Sequence, residues 1–516
     1  MRFTLKATAL AVSLLGGTAA YAANTGGFST ADGGNQTGSK SVTVSSMQGI
    51  IDAIAAARLD ANGKKVTGGA YPVIITYTGN EDAQIAQIVK DHTKDASGNC
   101  PNPHWNDPYR EVEIKEFTKG ITIQGANGSS ANFGITIKSG SNNVVIKNMK
   151  IGALAGANND ADMIRIDGSS NVWIDHNELF AVNNECNGSP DGDLTFESAI
   201  DIKKDSHNIT VSYNYIHDSK KVGLDGSSSS DIAGGREITF HHNIYYNVNG
   251  RLPLQRGGWT HIYNNFYDKI TESGINVRTG GYSLIERNWF QNSISPVTCR
   301  YDTANCGKWD LRNNNLTSSA DNATYGITWT DAGSGGVNAD TWTTTAAFPK
   351  TLTYTYEPVS AQCVKDKLAQ YAGVGKNGAQ LTAAACGTAT SSSSSSSSSK
   401  SSSSTAASSS SSSKSSSSAA ASSSSSSKAS SSAASSSSSS TGAPVLSGTG
   451  DYPNNFSKCS DEGATCTPTR GTGWVAFGRK GKWVTKNVGV GKSIACTVAA
   501  FGSDPGGAPN KCSFQN

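Results

Sequence analysis

Four acidic residues are spaced so that their side chains could meet at one place. Asp160 and Asp162 are two residues apart, and Glu197 and Asp201 are four residues apart. Residues at such separations on an extended strand face the same side, so two stacked strands would bring the four carboxylates together. Carboxylate oxygens gathered in this way suit Ca²⁺ better than a softer transition metal. The alternative is that all four are solvated turn carboxylates, and spacing alone does not separate the two.

Basic residues follow the acidic ones along the chain. Lys220 and Lys221 precede the segment VGLDG, and Arg251 and Arg256 flank Pro253. Proline cannot donate to a strand ladder, so this segment is expected to leave its strand as a loop of defined shape. Two arginines held there can present guanidinium forks to carboxylates. Ordinary surface arginines are the competing interpretation.

The elements that must position these residues are indicated by a repeat between residues 140 and 320. A β-favouring stretch that ends in asparagine recurs, with the asparagines at 148, 177, 214, 243, 265 and 288. Intervals in the low twenties, lengthened by insertions, predict a solenoid in which each coil adds short strands. Stacked asparagines would hydrogen-bond along the ladder and are expected to be structural. Residues 47–58 and 83–90 have helical spacing, and a helix there would cover the open end of the solenoid.

The composition divides the chain into two folded parts and a tether. Residues 391–440 contain 38 serines and no large apolar side chain to offset chain entropy, so they cannot fold. The region before them, beyond residue 22, has 30 basic and 36 acidic residues, whereas the tail 451–516 has eight basic and four acidic ones. An acidic large region argues against binding to a phosphate backbone. A wholly disordered protein and a single compact fold are both excluded.

The N-terminus and the cysteines indicate export. Arg2 and Lys6 precede the apolar run 7–15, and residues 20–22 offer a small-x-small cleavage site, which predicts a signal peptide. No run is long enough to span a bilayer. Even numbers of cysteines on both sides of the tether imply separate disulfide sets in an oxidising compartment, and the lack of a CxxC pair argues against zinc. The cysteines are Cys100, Cys186, Cys299, Cys306, Cys363 and Cys386 in the large region and Cys459, Cys466, Cys496 and Cys512 in the tail.

A series of ordered motifs carries a family resemblance. They are WIDHNELF (173–180), TFESAIDIK (195–203), ITVSYNYIHDSKKVGLDGSSSSD (209–231), ITFHHN (238–243) and RLPLQRGG (251–258). The chain resembles the pectate lyases of the extracellular bacterial class from about residue 25 to residue 387, and so many motifs are far more specific than one. The resemblance implies a right-handed parallel β-helix that cleaves polygalacturonate by β-elimination and requires Ca²⁺.

The resemblance also implies roles for individual residues. Asp160, Asp162, Glu197 and Asp201 match the calcium ligands, Arg251 matches the catalytic base, Lys221 and Arg256 match contacts to substrate carboxylates, and Lys203 and Arg278 resemble further substrate-binding positions. The four acids together with these cations favour de-esterified pectate over methyl-esterified pectin. A guanidinium is normally protonated, so an arginine base needs neighbouring cations that disfavour its charge. Trp173, Asp175 and His176 belong to a family signature away from the groove and are not expected to be catalytic.

Three disulfides are expected in the large region. The resemblance implies Cys100–Cys186 and Cys363–Cys386, whereas Cys299–Cys306 follows from proximity and elimination. This last pair departs from the pattern of the class. It is expected to staple its loop without altering the chemistry.

The tail resembles small cysteine-linked modules appended to polysaccharide-degrading enzymes. In WVAFGRKGKWV (474–484), GRKG is typical of a turn between two strands. Trp474 and Trp483 are candidates for stacking on the apolar faces of sugar rings. The alternative is that both tryptophans form the small core of this module.

The sequence therefore predicts an all-β protein in four parts. These are a signal peptide at 1–22, a right-handed parallel β-helix lyase domain at 23–388, a flexible Ser-rich linker at 389–446 and a small disulfide-linked, β-rich carbohydrate-binding module at 447–516. We expect a secreted, calcium-dependent pectate lyase that acts as a monomer on polygalacturonate of the plant cell wall. A second wall polysaccharide is a candidate ligand of the tail, and neither nucleic acid nor a membrane is an expected partner.

Two other functions remain open at this point. A polysaccharide hydrolase of the same architecture would need convergent carboxylates to activate water. A wall-binding adhesin would have kept the scaffold and lost the chemistry, and the presence of Arg251 with the four acids argues against it.

Overall fold

The computed structural model describes two units of the chain. The described residues are 24–100, 109–154, 161–186, 195–232, 235–301, 305–387, 446, 450–454, 456–469, 473–501, 505 and 510–515. The first unit comprises residues 1–393 and the second residues 394–516. The predicted signal peptide, Asp160 and nearly all of the predicted linker lie outside the described residues. Within those ranges, no helix is long and apolar enough to cross a membrane.

The large unit is built from short strands and a few helices. In chain order the strands are β1 Lys40–Val44, β2 Val73–Tyr77, β3 Glu111–Lys115, β4 Ile121–Gly125, β5 Gly134–Lys138, β6 Asn142–Lys147, β7 Lys150–Gly152, β8 Ile164–Asp167, β9 Ser170–Asp175, β10 Glu178–Phe180, β11 Ile200–Lys203, β12 His207–Ser212, β13 Tyr215–His217, β14 Gly223–Asp225, β15 Glu237–His241, β16 Ile244–Val248, β17 Leu254–Gln255, β18 Trp259–Tyr263, β19 Phe266–Ile270, β20 Ile275–Val277, β21 Tyr282–Glu286, β22 Trp289–Gln291, β23 Val297–Cys299, β24 Lys308–Arg312 and β25 Val337–Asn338. The helices are α1 Met47–Ala56, α2 Asp82–His92, α3 Asp321–Thr324 and α4 Ala361–Lys367, the last continued by a 3₁₀ turn at Leu368–Gln370.

The strands of the large unit form three long sheets. The first sheet has the order β1-β2-β4-β6-β9-β12-β15-β18-β21-β24, the second β7-β10-β13-β16-β19-β22 and the third β3-β5-β8-β11-β14-β17-β20-β23-β25. Neighbouring strands are parallel except for β23 and β25. From β8 onward the chain visits the third, first and second sheets in turn. The predicted parallel β-helix is confirmed.

The interior of the coil is filled by ladders of aliphatic side chains. In the first sheet Ile123, Ile146, Ile174 and Val211 occupy equivalent positions of successive strands and are fully buried. Because strand side chains alternate between faces, each strand sends one such set inward and leaves the other outward. The outward positions of the third sheet are therefore available to build a site.

A ladder of asparagines runs along the bend that follows the first sheet. Asn177 donates from Nδ2 to Asn214 Oδ1 at 2.9 Å, and equivalent bonds of 2.9–3.1 Å continue through Asn243, Asn265, Asn288 and Asn314. Each of these asparagines from 177 to 288 also donates its backbone N–H to the next side-chain oxygen. The predicted structural role is confirmed for the five asparagines from Asn177 to Asn288.

The assignment of Asn148 to that ladder is wrong by one residue. Met149 takes the ladder position, because its N–H donates to Asn177 Oδ1 at 2.9 Å. Asn148 occupies the bend position just before the ladder position. The residue at this bend position has a positive φ, which is 52° for Asn148 and 52° for His176, its equivalent in the next coil. Asparagine is favoured both in this left-handed conformation and as a ladder residue, so residue type alone does not separate the two positions. Asn314, which the repeat did not include, extends the ladder.

Helix α1 covers one end of the coil, and α4 packs against β22 on one side. Helix α1 begins after Ser46, whose side chain accepts from Gly49 N at 3.1 Å, and it buries Ile50, Ala53 and Ile54 against the core at the β1–β3 end. Helix α2 buries Ile85. Both expected helices are present, with α1 two residues shorter and α2 slightly longer than their patterns.

Disulfides close loops in both units. The large unit contains Cys100–Cys186, Cys299–Cys306 and Cys363–Cys386, the three pairs expected from the sequence, and the tail contains Cys459–Cys466 and Cys496–Cys512.

The small unit is an antiparallel β-structure. Its elements are β26 Phe456–Asp461, β27 Thr465–Cys466, β28 Trp474–Arg479, β29 Lys482–Asn487, β30 Ile494–Ala495, α5 Val498–Phe501 and β31 Lys511–Gln515. The sheet order is β26-β31-β28-β29, with β27 paired to β30. The predicted hairpin at 474–484 corresponds to β28 and β29.

Candidate active site

The connections that lead from the second sheet to the third stack on one another in successive coils. Lys221 lies between β13 and β14 and Arg251 between β16 and β17, and Lys221 forms a parallel bridge with Gly250. The outward residues Leu224, Leu254 and Asn276 of the strands that follow are in register. Side chains from neighbouring coils therefore share one surface, which forms a groove of about 600 Å³.

The groove is strongly cationic. Its described lining contains five basic side chains and one acidic side chain, Glu272, and the full set is Lys220, Lys221, Leu224, Ser227, Asn249, Gly250, Arg251, Leu254, Arg256, Glu272, Ser273, Asn276, Arg278 and Tyr301. A concave surface with this excess of positive charge attracts and holds anionic ligands.

Arg251 occupies a distinctive place in the groove. It has a positive φ of 67° and precedes a cis peptide bond between Leu252 and Pro253. Its carbonyl accepts from Gly223 N at 2.9 Å, which ties the loop to the adjacent coil. Within the described parts of the chain, no carboxylate pairs with its guanidinium. The predicted shaped loop is present, and it offers Arg251 to a ligand.

The predicted acidic residues lie beside this groove. Asp201 is in β11 and is in register with Leu224 of the groove. Lys203 Nζ lies 3.0 Å from Asp201 Oδ2 and 3.2 Å from Asp162 Oδ2, so both carboxylates converge on one ammonium group. Glu197 pairs with Lys221 through both oxygens, at 2.7 and 2.8 Å. Lys221 thus connects the acidic cluster to the groove.

Two of the clustered carboxylates repel each other in a buried place. Asp162 and Asp201 are 1% and 2% exposed. Burial and the nearby charge of Asp201 raise the pKa of Asp162 to about 7. Although burial opposes the charged form of Lys203, Asp201 and Asp162 outweigh it and raise the pKa of that side chain. A hard divalent cation would relieve the repulsion between the carboxylates, so this donor set fits calcium.

The expected set of four ligands is only partly described. Asp160 lies outside the described residues. Among the residues that are described, no group of three or more His, Cys, Asp or Glu side chains is arranged as a metal site. The spacing argument placed all four acids on strands. Of the three acids that the structure describes, Asp162 and Glu197 precede β8 and β11, and Asp201 lies within β11. Coil stacking, rather than strand alternation, brings Asp162 and Asp201 together.

Arg256 and Arg278 lie at equivalent places of two successive coils. Arg256 Nη1 donates to Gly226 O at 2.9 Å, and Arg278 N donates to Gln255 O at 2.8 Å. Both line the groove with Arg251 and Lys221. Lys203 instead lies among the carboxylates.

Sequence reasoning missed Glu272 and Tyr301 as groove residues and Arg300 beside them. The sequence does contain a pattern that points to this part of the groove. Arg256, Arg278 and Arg300 recur at intervals of 22 residues, each after a strand that is in register with the others. Continuing that interval would have indicated Arg300, which is next to Tyr301.

The signature residues Trp173, Asp175 and His176 lie elsewhere, as expected. Trp173 Nε1 donates to Ser212 Oγ at 2.8 Å, and the same hydroxyl donates to Asp175 Oδ1 at 2.6 Å. His176 Nδ1 lies 2.6 Å from Asp175 Oδ2. These residues form a polar network on the first sheet and its bend, in which Asp175 and His176 are buried and Trp173 is half-buried.

In the small unit the two candidate tryptophans share one face of the sheet. The described core of this unit contains Val475 and Phe477 but neither tryptophan. Strand alternation places Trp474 on the face opposite Val475. Trp483 is the cross-strand partner of Gly478, on the Trp474 side. Both indoles are half-buried, and Trp483 Nε1 donates to Asp451 O at 3.3 Å.

Comparison with known proteins agrees with this architecture. The model of the pectate lyase family matches residues 1–377. Pectate lyase C of Dickeya chrysanthemi is 62% identical over 365 residues, which cover 71% of this chain and 94% of that protein.

Solved structures agree as well. A structure of pectate lyase C from Erwinia chrysanthemi with Ca²⁺ has 61% identity and a TM-score of 0.65, covering 70% of this chain and 99% of that one. An R-to-K mutant of pectate lyase C in complex with pentagalacturonic acid has 60% identity and the same TM-score and coverage.

Fold and groove together define a parallel β-helix enzyme with a cationic cleft. The chain belongs to the pectate lyase family, as the motifs between about residue 25 and residue 387 predict.

Proposed function

We propose that this enzyme cleaves de-esterified polygalacturonate by β-elimination with the help of calcium. The observation that carries the proposal is the groove in which Arg251 faces a ligand without a carboxylate partner among the described residues, flanked by Lys221 and Arg256. Free uronate carboxylates match this density of cations. Methyl esters would carry no charge for them to bind.

Calcium would be held by Asp162, Glu197 and Asp201, together with Asp160. When bound, calcium would offset the charge of a uronate carboxylate and the enolate-like charge that develops beside it. Lys221, released from Glu197, and Arg256 would pair with the same carboxylate and add to that field.

Arg251 would act on the proton at C5 of the uronate. Removal of that proton leaves an electron pair that forms the C4–C5 double bond as the C4–O4 bond breaks. The departing oxygen takes up a proton, and the new end is a 4,5-unsaturated uronate with no water consumed. The cations around Arg251 disfavour a further positive charge there and so favour its role as base.

The experiment is incubation of the enzyme with polygalacturonate, with and without a calcium chelator. We expect the ultraviolet absorbance of unsaturated ends to rise only when calcium is present. Release of reducing ends without that absorbance would indicate a hydrolase, and no release in either condition would indicate a binding protein. The groove argues against a hydrolase, because its described lining contains one carboxylate, Glu272, rather than a pair.

We further propose that the enzyme is secreted and that its tail holds it on wall polysaccharide. The face that carries Trp474 and Trp483 supports this role, since aromatic rings stack on sugar rings. A flexible tether of about 50 residues would have a reach of roughly 40 Å and would keep the lyase near its substrate.

The binding role of the tail is tested by measuring how much of the full-length protein binds to insoluble cellulose, xylan and pectate at two salt concentrations. Deletion of residues 391–516, or Trp474→Ala with Trp483→Ala, should weaken wall binding and leave cleavage of soluble polygalacturonate unchanged. Binding by stacking should resist salt, whereas electrostatic binding should decline over a Debye length of about 10 Å at 0.1 M. Equal wall binding by the parent and both variants would refute the role.

A further inference from the structure

A trough runs along the outer face of the second sheet, and its described lining shares no residue with that of the cationic groove. Its floor is made by outward residues of β7, β10, β13, β16 and β19 that are in register, namely Lys150, Glu178, Tyr215, Ile244 and Phe266. Five neighbouring strands span about 19 Å at the usual strand spacing. Two cavities of about 360 and 220 Å³ lie on this floor and share Glu178 and Val374, so they are consecutive stretches of one trough.

The segment that follows helix α4 forms the side wall of the trough. The larger cavity is bounded on this side by Ala369, Ala372, Gly373, Val374 and Lys376. Two backbone N–H groups fix the wall to bends of the coil. Gly373 N donates to Tyr213 O at 2.7 Å, and Gly375 N donates to Asn148 Oδ1 at 2.7 Å. The trough is therefore preformed, which spares a ligand the cost of ordering it.

The half of the trough toward β19 is aromatic. Tyr215, Tyr246 and Phe266 line it and are half-buried, so each ring keeps an accessible part. Tyr215 and Phe266 hold equivalent positions two coils apart, a separation of about 10 Å. The Tyr215 ring stacks on His217 with 4.3 Å between the ring centroids, and among the described residues its hydroxyl has no hydrogen-bond partner. Apolar ring faces with a free hydroxyl beside them are suited to sugar rings.

The half of the trough toward β7 is polar, and its charges are balanced. Lys150 Nζ pairs with Asp82 Oδ1 at 2.9 Å, and Glu178 Oε1 lies 3.7 Å from His217 Nε2. Over the whole trough, the described lining contains two acidic side chains, Asp82 and Glu178, and two basic ones, Lys150 and Lys376. The described lining of the cationic groove contains five basic side chains and one acidic. A polyanion therefore matches the groove, whereas an uncharged ligand matches the trough.

We propose that this trough is a second carbohydrate site of the large unit, which binds a neutral, extended glycan of 1,4-linked sugars. Sugar rings would stack on Tyr215 and Phe266, and their hydroxyls would hydrogen-bond to Glu178 and Asn127 at the polar end. The straight floor favours an extended chain, and the balanced charge favours an uncharged one. The chain's own Ser-rich segment is a poor occupant, because residues 391–440 have no large apolar side chain to cover an aromatic floor.

A site of this kind would act independently of the chemistry proposed for the cationic groove. Neutral glycans accompany pectate in a plant cell wall, so binding one of them would hold the groove close to its substrate. The gain is in local concentration and requires no contact between the two sites.

The test is isothermal titration calorimetry of the full-length protein with cellopentaose, xylopentaose and a 1,4-linked galactopentaose. Every protein carries Trp474→Ala with Trp483→Ala, which removes the stacking proposed for the tail. We expect saturable binding of at least one oligosaccharide. Tyr215→Ala with Phe266→Ala should raise its Kd at least about tenfold, because two stacking platforms are lost. Ala369→Arg should also weaken binding, because it places a bulky side chain in the trough from an exposed position of the wall.

The matched control is Gln370→Arg. Residue 370 is exposed, adjoins Ala369 and is not part of the described lining, so this variant adds the same side chain beside the trough and should bind as the parent does. An unfolding midpoint of Ala369→Arg equal to that of Gln370→Arg would show that the loss of binding is not a loss of fold.

Several results would overturn the proposal. They are the absence of binding by the parent, and an equal Kd for the parent and a folded Ala369→Arg variant. Binding that appears only after deletion of residues 391–516 would assign the trough to the chain's own tail. A dimer of the parent that Ala369→Arg dissociates would assign it to a second copy of the chain.

Discussion

At the scale of single residues, the basic side chains of the site differ in whether they have a carboxylate partner. Lys221 is paired with Glu197 and Lys203 with Asp162 and Asp201, whereas Arg251 has no carboxylate partner among the described residues. A cation without an anion is available to a ligand at once, whereas a paired cation must first be released, as we propose for Lys221. The geometry therefore distinguishes Arg251 from its basic neighbours.

Replacement of this arginine tests its role directly. We expect Arg251→Lys to lower kcat by two orders of magnitude or more, because a general base contributes about 10²- to 10⁴-fold and lysine lacks the guanidinium fork. The unfolding midpoint should not change. The measurement is the rate of unsaturated-product formation. The control is Arg312→Lys, because Arg312 forms an ion pair with Asp310 outside the groove. Near-normal turnover would remove Arg251 from the mechanism.

Asp162 provides a separate test of the acidic cluster. Asp162→Asn removes one negative charge from the proposed calcium ligands, so the calcium concentration for half-maximal activity should rise about tenfold or more. Calcium titrations of activity measure this shift. Asp167→Asn, at the end of the strand β8 that follows Asp162 and paired with Lys204, should leave the titration unchanged. If Asp162→Asn has the parent's calcium dependence, the metal is bound elsewhere.

At the scale of elements, the asparagine ladder keeps the coils in register. Asn243 is fully buried and donates from Nδ2 to Val211 O at 2.9 Å and to Asn265 Oδ1 at 3.0 Å. Its Oδ1 accepts from the backbone and side chain of Asn214. Each bond joins one coil to the next, so the ladder also fixes the stacking of the groove connections.

Removal of a ladder member should cost stability without affecting the chemistry directly. Asn243→Ala leaves several buried polar groups unpaired, each worth about 1–3 kcal/mol, so we expect a loss of roughly 2–4 kcal/mol in unfolding free energy. Denaturant titrations measure it. Asn142→Ala, which loses a single half-buried bond to Ser170, should cost less than 1 kcal/mol or so. Equal losses in the two variants would show that the ladder adds nothing.

At the scale of the whole molecule, buried histidines make the large unit sensitive to acid. His241 and His242 are buried and lie 2.9 Å apart through their Nδ1 atoms. Burial lowers the pKa of His241 to about 4 and that of His242 well below its ordinary value, and the nearby His241 lowers the pKa of His242 further. Both imidazoles remain neutral in the folded chain near neutral pH.

The burial of these histidines makes the unfolding free energy depend on pH in a defined direction. Below about pH 6.5 the histidines of the unfolded chain take up protons, while His241 of the folded chain stays neutral until about pH 4. The unfolding free energy therefore falls as the pH falls through this window. The loss is roughly 3 kcal/mol for His241. Thermal unfolding at several pH values measures the slope. His242→Asn places there the residue type found at 148 and 264 of the same bend and should flatten the slope, whereas His207→Asn, on the exposed surface, should not. An unchanged slope in His242→Asn would contradict this account.

Much of this protein is determined by local sequence patterns. The aliphatic strands, the helical spacing near residues 47 and 83 and the asparagine repeat each specify a local preference that the fold keeps. Proline at 253 predicted the shaped loop that carries Arg251. Ordered motifs indicated the family and, with it, the residues of the groove, because motif order reflects the order of the coils.

Only the tertiary structure decided how residues far apart in the chain meet. Spacing placed the acids on strands, but stacking of coils with insertions of different length brings Asp162 and Asp201 to one ammonium group of Lys203. The same stacking separates Asn148 from the ladder and sets Tyr301 beside Arg278. The tail shows this most plainly, since four cysteines allow three pairings, and the fold selects Cys459–Cys466 and Cys496–Cys512 while leaving both tryptophans outside the core. Sequence carries the preferences of each segment, but register between segments depends on contacts that form only when the chain is folded.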